Sequence, residues 1–230
     1  MEETGDACRQ PIVRQVIPID LGDGRRTSAI RYEAPEGRRI GLRVVLAHGA
    51  GAGQRHPFIL NVARRLAAAG LDTVTFNFPY MEEKRRAPDR TAALEACFRR
   101  VIEYAEGLDG RRLVIGGKSM GGRIATHLAA HGALAGGVFA LGYPLHPPGK
   151  PDQLRIAHLP AIAMPVLVVQ GERDPFGTPS ELRPVLATMQ APVELEVVAG
   201  GDHSLAVRGR SAAQLYDWLA ERLAGWIQRL

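Results

Sequence analysis

Leu113-Val114-Ile115-Gly116-Gly117-Lys118-Ser119-Met120-Gly121-Gly122-Arg123 is the stretch on which the reading of this 230-residue chain turns. It begins as a short apolar strand and runs into a helical pattern over 120–130, with Gly117-Lys118-Ser119-Met120-Gly121 in the form G-x-S-x-G between them. A serine at the apex of so sharp a strand-to-helix turn sits in strained backbone with its hydroxyl exposed. Side chains two residues to either side would collide there, so both positions are Gly. The helix that follows points its positive N-terminal end at any oxyanion forming nearby. Gly117-Lys118-Ser119 is also the tail of a phosphate-binding P-loop, but Arg112 stands where that motif needs its first Gly. A glycine turn serving only close packing would have no use for Ser at the strained apex.

Working outward, residues 13–19 and 27–32 alternate as two strands around the turn Gly22-Asp23-Gly24, which reads as an antiparallel hairpin. From Arg43 the texture changes to apolar, β-branched runs at 44–46, 73–76, 113–115, 137–141, 166–170 and 193–198. Between them lie helical patterns at 58–69, 89–106 with Asp89 as N-cap, 120–130, 180–189 and 211–229. Near-continuous apolar strands alternating with helices imply a mostly parallel sheet covered on both faces. The expected fold class is α/β: eight strands, two antiparallel and six in βα repetition, forming one domain over 1–230 with a loose polar start at 1–12. A Pro-rich segment at 144–160 leaves room for a loop or short helix, but not for a lid domain.

Three further stretches sit at strand ends. His48-Gly49-Ala50-Gly51-Ala52-Gly53 follows the first parallel strand. It misses the dinucleotide fingerprint, because Gln54 occupies the last Gly position. Its backbone is suited to hold an oxyanion, with the Ala50 amide and the amide of Met120 as donors and Gly49 and Gly51 permitting close approach. Gln170-Gly171-Glu172-Arg173-Asp174-Pro175 ends the penultimate strand and offers Asp174, or Glu172 as runner-up, to orient an imidazole. Gly200-Gly201-Asp202-His203-Ser204 follows the last strand and offers His203 as base. His127 and His131 have i, i+4 metal spacing, but no third ligand is evident and no metal site is expected. His56 is expected to line the pocket, and Tyr80, the Lys84-Arg85-Arg86 run and the 144–160 segment to form its rim.

The bulk numbers exclude other classes. Hydrophobic residues make up 46% of the chain, enough for a sizeable core. The net charge of +5 is scattered, and only Lys84, Lys118 and Lys150 among 29 basic residues are lysines, so no nucleic-acid partner is expected. Apolar runs break well short of a membrane span, so no membrane partner is expected either. Cys8 and Cys97 are far apart and do not suggest a disulfide scaffold. The acidic start Met1-Glu2-Glu3-Thr4-Gly5-Asp6 is unlike a signal peptide, and a cytoplasmic location is expected.

On these motifs the chain resembles the α/β-hydrolase superfamily from Arg43 to Leu230, and within it the small, lidless, dienelactone-hydrolase-like branch. The glycine loop with His56-Pro57-Phe58, the Gly117–Arg123 run, Asp174-Pro175-Phe176-Gly177 and Gly201-Asp202-His203-Ser204 resemble the testis-expressed-protein-30-like family. The resemblance implies an eight-stranded sheet and an intact triad of Ser119, Asp174 and His203. Dienelactone hydrolases proper use Cys where this chain has Ser119, which turns the expectation away from that particular substrate. The expected reaction is hydrolysis of a small ester or thioester through an acyl-enzyme, needing no metal or organic cofactor. Two alternatives stand beside it: transfer of the acyl group to another acceptor, and a non-catalytic interaction module on the same fold, since relatives of that family serve in a chromatin-modifying complex.

Overall fold

The computed structural model describes residues 14–230; the expected loose start, Val13 and Cys8 lie outside them. Strands β1 (Arg14–Asp20) and β2 (Arg26–Tyr32) form the antiparallel hairpin. β3 (Leu42–Ala47), β4 (Asp72–Phe76), β5 (Arg112–Lys118), β6 (Gly137–Leu141), β7 (Val166–Gly171) and β8 (Val193–Val198) are mutually parallel. All eight join one sheet in the order β1-β2-β4-β3-β5-β6-β7-β8. The β1 strand contains Pro18, which an edge position tolerates because one side of its ladder faces solvent.

Helices cover both faces. α1 (Pro57–Ala68) and α6 (Ala212–Ile227) pack together on one side, where Leu66, Leu219, Leu223 and Trp226 meet the Val44, Leu46 and Val114 side of the strands. α3 (Thr91–Glu106), α4 (Met120–Ala130) and α5 (Pro179–Leu186) cover the other, with Phe98, Val101, Ile124 and Leu182 against Val45, Ile115 and Val168. Central strands buried on both faces read as the unbroken apolar runs they are in sequence. A four-residue helix, α2 (Pro79–Glu82), follows β4 and is too short to leave a periodic signature.

Several expected boundaries shift for local reasons. Asp89 does not cap α3: its carboxylate accepts from the Tyr80 amide at 2.9 Å and pairs with Arg85, and Arg90 occupies the N-cap without a side-chain bond. α5 closes at Leu186, short of residue 189, just beyond Pro184, whose ring supplies no N–H. Ser211 precedes α6 as its cap, and Ser211 and Gln214 close a reciprocal capping box.

Because β3 lies between β4 and β5, the chain winds one way from β3 to β4 and the other way from β5 onward. The strand order therefore reverses at β3 and β5, and the crevice beyond their carboxyl ends is where an open α/β sheet takes its ligand. The opposite ends of β3 and β4 hold a charge cluster. Buried Arg43 pairs with Asp109 at 2.9 Å and Asp72 at 3.6 Å, and Asp72 also takes Arg111 at 2.5 Å and the Ala34 amide at 2.8 Å. No helix among the described residues is long and apolar enough to cross a membrane.

Candidate active site

Ser119 sits between β5 and α4 with φ 51° and ψ −115°, in the region that L-residues rarely adopt. Its amide donates to the Leu141 carbonyl at 2.9 Å, which ties the turn to β6. The flanking glycines are required by neighbours as well as by the turn itself. A Cβ on Gly117 would lie 2.5 Å from the Ala47 carbonyl oxygen, and one on Gly121 would lie 2.6 Å from that of His48. The elbow can therefore press against the end of β3 only while both positions lack side chains.

Asp174 and His203 arrive from the loops after β7 and β8. The His203 Nδ1–H donates to Asp174 Oδ2 at 2.7 Å, leaving Nε2 to accept from the Ser119 hydroxyl at 2.8 Å. Asp174 is 1% exposed, and Oδ1 accepts from the Phe176 amide at 2.8 Å while Oδ2 accepts from Gln170 Nε2 at 2.9 Å. Three donors thus satisfy the buried carboxyl group. Glu172 lies elsewhere: its carboxylate accepts from the Gly200 amide at 2.7 Å and clips the two loops together. Asp202, next to the imidazole in sequence, accepts from the amides of Ser204 at 2.8 Å and Ala206 at 3.0 Å and shapes the His203 loop. The Phe176 ring lies against the imidazole, centroids 4.2 Å apart.

Lys118, at the first variable position of the elbow, borders the crevice and donates from Nζ to the His203 carbonyl at 2.5 Å. Burial pulls this ammonium down to about 8, against the opposing attraction of Asp174 and Asp202.

The glycine loop after β3 faces the elbow. His48 is fully buried; its Nδ1–H donates to the Gly49 carbonyl at 2.7 Å, and Nε2 accepts from the Phe78 amide at 3.0 Å. Burial lowers its pKa to about 4, so it stays neutral and fixes the loop. Gly51, at φ 70°, donates to the Tyr80 hydroxyl at 3.2 Å. Tyr80 is thus wholly buried behind the loop, not on the rim where the sequence reading puts it, because its hydroxyl finds a backbone donor inside. The Ala50 and Met120 amides have no hydrogen-bond acceptor among the described residues, and both residues line the crevice beside Ser119.

That crevice encloses about 800 Å³. Gly49 and His56 border it, whereas Gly51 and the Lys84-Arg85-Arg86 run do not. His56 also caps α1, its Nδ1 accepting from the Phe58 amide at 3.3 Å. From the Pro-rich segment, Pro144 and Arg155 reach the wall. His127 and His131 share Glu95 at 3.0 and 3.4 Å and form no metal cluster among the described residues. Gln170 and Phe176 stand within the quoted motifs but receive no role from the sequence; a Gln ending an otherwise apolar strand is the available signal. Cys97 is buried, its thiol pushed up to about 12 by desolvation, and stands apart from the chemistry.

A serine hydroxyl, an imidazole and a buried carboxylate in one hydrogen-bonded chain, beside two amides at a strand-order reversal, form an arrangement that hydrolase chemistry can use. Residues 41–228 match the family model of the alpha/beta hydrolase domain, and the chain belongs to that family. Its fold is similar to that of dienelactone hydrolase from Anabaena variabilis, with 20% identity, TM-score 0.77, and 95% of this chain and 98% of that one covered. It is also similar to an alpha-beta serine hydrolase homologue from Coxiella burnetii, with 19% identity, TM-score 0.73, and coverage of 91% and 97%. A lidless α/β serine hydrolase from Xanthomonas campestris matches at 17% identity and TM-score 0.67, with 94% and 92% covered.

Proposed function

We propose that this chain is a serine hydrolase that cleaves small esters or thioesters through an acyl-enzyme, and that within its family it stands near the testis-expressed-protein-30-like group. The observation that carries the reading is the continuous relay from Ser119 Oγ through His203 to Asp174, with steps of 2.8 and 2.7 Å. His203 Nε2 takes the hydroxyl proton as Ser119 Oγ attacks the carbonyl carbon. Asp174 holds the tautomer and stabilises the imidazolium. The Ala50 and Met120 amides receive the oxyanion; one such donor is worth roughly 3–4 kcal/mol in the transition state. Collapse expels the alcohol or thiol, protonated by His203 Nε2–H. Water, deprotonated by the same nitrogen, then releases the acid and restores Ser119. No step draws on a cofactor. A crevice bordered by short loops suits small or flexible acyl groups better than long lipid chains.

The test is labelling of the purified protein with a fluorophosphonate probe beside Ser119→Ala and His203→Ala, with 4-nitrophenyl acetate turnover measured in parallel. Labelling and turnover that both substitutions abolish are the expected result. A folded wild type that neither labels nor turns over would overturn the proposal.

A further inference from the structure

The walls of the crevice carry more positive charge than they balance. Lys118, Arg123, Arg155 and Arg210 border it, against the single carboxylate of Asp89, which is already committed to Arg85 and the Tyr80 amide. Lys118 is spent on the His203 carbonyl, and Arg210 lies over the Trp218 ring with its guanidinium carbon 5.1 Å from the centroid. Arg123 and Arg155 are different. Neither has a carboxylate partner among the described residues. Each guanidinium has five N–H donors, and a single side-chain bond accounts for each residue: Arg123 Nη1 to His127 Nε2 at 3.3 Å, and Arg155 Nη1 to the Pro144 carbonyl at 3.4 Å.

Both arginines are held in place. The Glu95 carboxylate takes the His127 Nδ1–H at 3.0 Å, which turns the Nε2 lone pair toward Arg123. The Arg155 backbone is pinned at both ends, its amide donating to the Leu145 carbonyl at 2.8 Å and its carbonyl accepting from the Tyr143 hydroxyl at 2.5 Å. Burial and the neighbouring Arg155 charge both weigh against the charged form of Arg123. Two like charges on the lining of one crevice, which Phe58, Leu94 and Phe176 also line, are unfavourable until an anion arrives.

We propose that Arg123 and Arg155 form an anion subsite that takes a carboxylate carried by the substrate. Its ligand is an ester or thioester of a dicarboxylic acid, or one whose leaving group bears a carboxylate. The planar pair of carboxylate oxygens matches the guanidinium fork, and the remaining donors are free to meet it. The subsite rests on the serine hydrolase reading, since the group it anchors belongs to the molecule that Ser119 attacks.

The test compares kcat/KM for 4-nitrophenyl hemiglutarate with 4-nitrophenyl valerate, and for 4-carboxyphenyl acetate with phenyl acetate. Wild type, Arg123→Gln, Arg155→Gln and Arg123→Lys are measured at low and high salt. The wild type should favour the anionic member of at least one pair by about ten- to hundredfold, the size of one or two charge-assisted hydrogen bonds. That preference should shrink in high salt and fall in both Gln variants, chiefly through KM, and Arg123→Lys should recover part of it. Turnover of the neutral esters by the same variants reports that they are folded, and Arg155→Gln reads the subsite without touching α4. If neutral esters turn over and neither anionic ester is preferred, the subsite is wrong and the hydrolase reading stands. Gln variants that lose neutral and anionic substrates equally also overturn it. If no ester turns over, both proposals fall together.

Discussion

Replacing Lys118 with methionine isolates the cost of holding a charge beside Ser119. The side chain runs along the crevice wall to a Nζ that donates to the His203 carbonyl, and burial lowers the ammonium from 10.5 to about 8. A shift of that size corresponds to about 3 kcal/mol against the charged form, an upper figure because the stem still borders solvent. Between the native and unfolded values the unfolded chain binds more protons than the native one. Wild-type stability contributed by this group is therefore lowest below pH 8 and recovers as the pH rises toward 10.5. Methionine keeps the length, removes the titration, and leaves the His203 carbonyl short of a donor at a cost of about 1–3 kcal/mol. The two effects oppose each other near neutrality, so the absolute difference there is small. The pH dependence is what discriminates. Subtracting wild-type from variant unfolding free energies, measured by urea denaturation, should give a value about 2 kcal/mol lower near pH 10 than near pH 7.5. Other groups that titrate in this range cancel in the subtraction. A difference that stays constant to within about 0.5 kcal/mol would refute the argument that Lys118 is charged at a penalty.

Asp174→Asn should leave the fold intact, since the Phe176 amide keeps its acceptor, yet lower 4-nitrophenyl acetate turnover by about 10³–10⁴; a variant keeping a tenth of the activity would remove Asp174 from its orienting role. Asp72→Ala takes the acceptor from Arg111 and the buried Ala34 amide and leaves the buried Arg43 with Asp109 as its carboxylate, and should cost about 1–3 kcal/mol in urea unfolding. Its kcat at low temperature should match the wild type, so a specific loss of kcat would contradict the separation of that cluster from the site. His48, lowered to about 4, is neutral in the native state while the unfolded chain protonates near 6.5, so stability falls as pH drops through that window, by about 2 kcal/mol at pH 5 from this residue alone. Unfolding free energies that are flat between about pH 6.5 and 5 would exclude it.

Much of the architecture is legible in the chain because the central strands are buried on both faces and bounded by Gly or Pro. The bounds expected for β6 coincide with the observed ones for that reason, and those expected for α4 and the edge strand β8 coincide as well. The strand order is not legible: placing β3 between β4 and β5 follows from packing between distant segments, which no local pattern encodes. Asp89 shows how a local rule loses to a tertiary partner, since the Tyr80 amide and Arg85 claim the carboxylate that α3 could have used. Ser119, Asp174 and His203 can be singled out because each follows a strand at a glycine-rich turn, and the structure brings their side chains into hydrogen-bond contact. The walls are harder to read. Tyr80 has the chemistry of a rim residue but turns inward, and Arg123 and Arg155 lie 32 positions apart with nothing in either local pattern to join them.

The charge cluster of Arg43, Asp72, Asp109 and Arg111 gathers at the amino ends of β3 and β4, while Ser119, Asp174 and His203 stand beyond the carboxyl ends of the strands. The length of the sheet thus insulates durability from selectivity. A lineage could exchange the crevice-facing residues after β6 and on α4 to suit a new substrate, leaving the far end to keep the scaffold standing. A laboratory library confined to those wall positions inherits the same freedom.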